Sequence, residues 1–83
     1  MNPMLMQMRI ELSNAKREYA SNELKLKRLF FEMQTLANPY YTSIDSIKTE
    51  EMKQTATDMS NVKDVLLSLN SKIKDLTTQL GEE

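Results

Sequence analysis

The chain has 83 residues, 40% hydrophobic and 28% charged, with a formal net charge of −1. This length allows one small domain, and the balance of apolar and charged residues suits a solvated folded chain rather than a disordered one. Without cysteine there are no disulfides or thiolate metal sites, without histidine the commonest general base and transition-metal ligand are missing, and a near-neutral chain exerts no global pull on nucleic acid.

Asn2-Pro3 predicts the start of a first helix. Asparagine accepts a hydrogen bond from an orphan N–H, and proline fits the first turn, where its missing donor costs nothing. Residues 1–8 include several apolar side chains but lack a basic stretch and a small-residue cleavage site, so no secretory signal is expected. No apolar run reaches membrane-spanning length, which leaves the cytoplasm as the expected compartment and no membrane partner. From Leu5 an unbroken ladder runs through Met8, Leu12, Ala15, Tyr19, Asn22, Leu26, Leu29, Met33 and Leu36. Its steps alternate between three and four residues, the a/d seam of a coiled coil.

Asn38-Pro39 predicts the stop. Asparagine tolerates the left-handed cap conformation, and proline disfavours the α conformation in the residue before it. Pro39-Tyr40-Tyr41 forms the connection. Thr42 and Ser43 are candidate N-caps for a second helix, Thr42 with Asp45 makes an aspartate version of the capping box, and Ser46 and Thr49 are later candidates. A second ladder then runs through Met52, Thr55, Met59, Val62, Leu66, Leu69, Ile73, Leu76 and Leu80. Gly81 is placed as a C-cap glycine, with Glu82 and Glu83 beyond it. The predicted bounds are a helix over 3–37, a turn over 38–42 and a helix over 43–80, in one domain spanning 1–83.

A short connection between helices of equal length predicts an all-α fold, an antiparallel two-helix hairpin of coiled-coil type. Facing seam residues should then have numbers adding to a constant. Eight pairs add to 81: Leu5 with Leu76, Met8 with Ile73, Leu12 with Leu69, Ala15 with Leu66, Tyr19 with Val62, Asn22 with Met59, Leu26 with Thr55 and Leu29 with Met52. A turn centred near residues 40 and 41 predicts the same sum. One seam encloses little, so self-association into a four-helix bundle is a further expectation.

No catalytic set is present, and an enzyme, a bound cofactor and a small-molecule substrate are not expected. Asp45, Glu50, Glu51 and Asp58 read as a solvated helix face rather than a metal or acid–base group. Ile10, Leu24 and Phe31 share the outward f position, with Phe30 at e, and Val65 and Leu67 are also off the seam. Such a stripe is usually covered by a second interface. Phe30, Phe31, Tyr40, Tyr41, Ile44 and Ile47 lie close enough in sequence to form a local cap at the turn. The polar seam residue Asn22 is either a register or oligomer specifier or a point where the seam is loose and the amide reaches water.

The function expected is therefore protein binding by a small adaptor, assembly factor or regulator, with itself or another protein as partner. The alternative is a nucleic-acid-associated accessory protein that contacts phosphates through Lys16, Arg17, Lys25, Lys27 and Arg28. These five are spread over five heptad positions and interleaved with Glu18 and Glu23, which favours an ordinary exposed face.

Overall fold

The computed structural model describes residues 2–38, 40 and 43–81, and it is an antiparallel hairpin of two long helices. Helix α1 spans Pro3–Leu36 and α2 spans Thr49–Leu80, with one turn of 3-10 helix, Ile44–Ser46, between them. The molecule measures 65 × 17 × 15 Å. A 34-residue helix is about 51 Å long, so the two rods lying side by side account for the shape.

Asn2 caps α1 as its sequence predicts. Its extended backbone lets Oδ1 accept the Met4 N–H at 2.9 Å, and Pro3 occupies the first turn. The other end differs from expectation in two details. Ala37 is the C-cap rather than the last helical residue, and its N–H donates to the Met33 carbonyl at 2.9 Å. Asn38 does not take the left-handed conformation; its side chain instead accepts the Tyr40 N–H at 2.9 Å. This Asx turn redirects the chain without positive φ. Only Gly81 among the described residues has positive φ, at 71°, and its N–H donates to the Thr77 and Thr78 carbonyls to close α2.

The second helix begins at Thr49, not at residue 43, and the connection is correspondingly longer than 38–42. Its N-cap is Lys48, which makes no side-chain capping bond. Asp45 falls in the 3-10 turn, and Thr42 lies outside the described residues. The physical reason is visible in the ladder itself. Continued backward from Met52, the seam positions would be Lys48 and Asp45, two charges with nothing apolar to bury. Helical continuation is stabilised mainly by packing of an apolar face, so α2 has no reason to start earlier.

The longer connection shifts the register. The core cluster joins Leu29 to Val62 and Leu66, with Tyr19, Leu26 and Met59 packed against it. Facing numbers that add to 81 would put Leu29 opposite Met52, ten residues or about 15 Å from Val62. The pairing at 81 is therefore overturned. A heptad seam allows shifts of seven, which leaves 88 or 95. At 95, Leu12 would face residue 83, beyond the end of α2, yet Leu12 is only 4% exposed. At 88, Leu12 faces Leu76, also buried, Leu29 faces Met59, and Leu26 faces Val62. The same register pairs Met8 with Leu80 and leaves the first residues of α1 projecting past α2. Leu5 is accordingly 42% exposed, and Met4 and Met6 are exposed beside it.

The corrected register also improves the flanking charges. Glu18 comes level with Lys72 and Glu23 with Lys63, while Glu32 and Asp58 form the one like-charged pair. Such exposed pairs are worth about 0.2–1 kcal/mol each, so packing rather than charge holds the alignment.

Candidate interaction surface

The seam of the hairpin holds its core. Leu12, Ala15, Leu29, Thr55, Val62, Leu66, Leu69 and Leu76 are buried; Met8, Tyr19, Asn22, Leu26, Met52, Met59 and Ile73 are half-buried; Leu5 alone of the predicted seam is exposed. Among the described residues no large side chain is fully enclosed. Two helices can cover only one stripe of each other, so every seam residue keeps some edge in water. Small Ala15 sits opposite Ile73 rather than Leu66, and Tyr19 opposite Leu69 rather than Val62.

Asn22 is half-buried opposite Leu66. Its Nδ2 donates to the Glu18 carbonyl of its own helix at 2.8 Å. That bond stays within one turn and does not reach across the seam. Asn22→Leu is expected to raise stability by about 1–2 kcal/mol through added apolar burial. Thermal melting checks this, and a lowered melting temperature would mean that the amide makes a contact the seam needs.

On the outward face the predicted stripe is present. Ile10, Leu24, Phe30 and Phe31 are all exposed, Leu24 and Phe31 at 68% each. The b, c and f positions of α1 point away from α2 because a and d point toward it. Ile10, Leu24 and Phe31 therefore line the side of α1 opposite its partner, with Phe30 at its edge. Val65 and Leu67 are exposed on α2. The apolar cap expected at the turn does not form among the described residues. Tyr40 and Ile44 are almost wholly exposed and Ile47 is exposed. Tyr41 lies outside the described residues.

The five basic residues are all exposed but do not share one surface. Lys16 lies on one flank, in a shallow concavity with Arg9, Leu12 and Ser13. Lys25 lies on the other flank, in a groove that also holds Arg28, Glu32 and Asp58. Two carboxylates thus offset two of the cations there. Arg17, Lys27 and Arg28 occupy the outward f, b and c positions of α1. The carboxylates near the start of α2 pair locally, Glu50 with Lys53 at 3.5 Å and Glu51 with Lys48 at 3.9 Å. Among the described residues no three acidic groups converge in a way that would hold a metal ion.

Near the connection a mainly apolar groove opens between the helices, lined by Phe31, Leu36 and Thr55 with Arg28 and Glu51 at its rim. It joins the outward stripe to the seam through Phe31. The heptad pattern gives no signal for it, since the groove depends on which residues of α2 stand beside Phe31 and Leu36. Comparison with family models, curated proteins and solved structures finds no match to the chain.

Proposed function

We propose that the protein is a non-enzymatic binding module, an adaptor, assembly factor or regulator, that receives a partner helix along the outward face of α1. The observation that carries this reading is the stripe Ile10, Leu24 and Phe31, exposed at heptad-related positions on a helix whose other face is already packed. Burying a side chain of that size contributes roughly 1.5–3 kcal/mol, so a partner that covers all three has a substantial apolar gain available. The surface area supports the same conclusion. A compact monomer of 9.7 kDa exposes roughly 5,100 Å², whereas this chain exposes 6676 Å². The excess is about twice the roughly 800 Å² that each partner contributes to a standard protein–protein interface.

Leu24→Gln with Phe31→Gln tests the reading. Both side chains are largely in water, so helicity by circular dichroism and the melting temperature should stay near the wild-type values. Association, with itself or with a protein cross-linked to it in its native cell, should be lost. Loss of helicity in the double variant would assign the stripe to the fold and remove the binding face.

A further inference from the structure

The outward face of α1 has a charge pattern that its apolar stripe alone does not reveal. Every acidic residue of α1 stands on a flank beside the seam: Glu11, Glu18 and Glu32 at g, and Glu23 at e. The b, c and f positions carry Arg17, Lys27 and Arg28 and no acid. None of these three cations makes an ion pair or a side-chain hydrogen bond among the described residues. The surface is therefore an apolar stripe framed by positive charge, unopposed at Arg17 and Lys27 and bordered by Glu32 and Asp58 at Arg28. We infer that its occupant is an acidic amphipathic helix of another protein, with apolar residues at heptad-related spacing and glutamate or aspartate beside them.

This inference rests on the binding-face reading and narrows it. A second copy does not fit. A two-fold dimer through the α1 faces would bring Arg17, Lys27 and Arg28 of both chains together with no intervening acid, and like charges in an interface cost affinity and suppress that pairing. The acidic residues of the second copy's α2 do not rescue a closed dimer. The outward faces of α1 and α2 point in opposite directions, so that contact would be heterologous and would propagate instead of closing. An acidic helix satisfies both halves of the pattern: its apolar stripe covers Ile10, Leu24 and Phe31 while its carboxylates meet the cations.

Two designed helical peptides of equal length and equal apolar stripe test this, one flanked by glutamate and the other by lysine. Fluorescence anisotropy with the intact protein should give saturable binding of the glutamate peptide, at least tenfold tighter than the lysine peptide, weakening as salt rises. Lys27→Glu with Arg28→Glu should reverse the preference. Leu24→Gln with Phe31→Gln should abolish binding of both peptides. Equal affinity for the two peptides, or no binding of either, overturns the charge assignment while leaving the stripe open to an uncharged partner. Unchanged peptide binding by the Leu24 and Phe31 variant overturns the binding face itself. Sedimentation of the wild type as a stable dimer disrupted by that variant overturns the foreign partner in favour of a second copy. Tighter binding to vesicles containing anionic lipid, or to a DNA or RNA duplex, than to the glutamate peptide overturns the assignment to a protein helix.

Discussion

Leu29→Ala should remove about 2–5 kcal/mol of folding stability. Leu29 is 5% exposed and is the residue through which α1 joins Val62 and Leu66 of α2. The two rods have no second layer that could collapse into the space left by its side chain. Natural domains carry about 0.05–0.15 kcal/mol of stability per residue, so this one substitution is comparable to much of the total for a chain this short. Denaturant unfolding followed by circular dichroism measures it. A midpoint unchanged within error would show that Leu29 lies outside the cooperative core, and the hairpin described here would be wrong at its centre.

The second large effect is a yes-or-no cross-link. Leu12→Cys with Leu76→Cys, numbers adding to 88, should form a disulfide within one chain under mild oxidation. Ala15→Cys with Leu66→Cys, adding to 81, should stay reduced. In the register seen here Leu66 is one heptad, about 10 Å along the axis, from the residue that faces Ala15. Disulfides require Cα atoms within about 7 Å. Closure of the second pair alone would restore the shorter register, and closure of both would mean that the helices slide. Cross-links found only between chains would replace the hairpin with an exchanged dimer.

Those two pairs separate what was legible in the sequence from what was not. The helices, their polarity and their ends at Asn2 and Gly81 follow from local chemistry: a side-chain acceptor at one end, a residue free to adopt positive φ at the other, and a 3.5-residue apolar period between them. The register is not local. Both ladders are regular enough that a slip of seven residues keeps apolar opposite apolar, so the pattern cannot choose between 81 and 88. The choice depends on how many residues the connection takes up, and there capping signals misled. Thr42 and Ser43 are good N-caps, but an N-cap contributes only about 1 kcal/mol. The seam upstream of Met52 offered Asp45 and Lys48, and the lack of an apolar face outweighed the caps. At the candidate site, Ile10, Leu24 and Phe31 were readable because the heptad frame assigns faces without reference to register. The groove beside Phe31 was not, because it depends on which residues of α2 stand beside Phe31 and Leu36, and that is a matter of register.

The proportions of the hairpin bear on how its state of association can be measured. Its radius of gyration is 18.6 Å. A compact chain reaches that value at roughly 270 residues, more than three times the length of this one. Small-angle scattering or size-exclusion data read against globular standards would therefore suggest a trimer where there is one molecule in solution. Elongation raises friction without adding mass. Sedimentation equilibrium and light scattering, which weigh the particle rather than gauge its reach, are the measurements that can tell a solitary rod from a bundle.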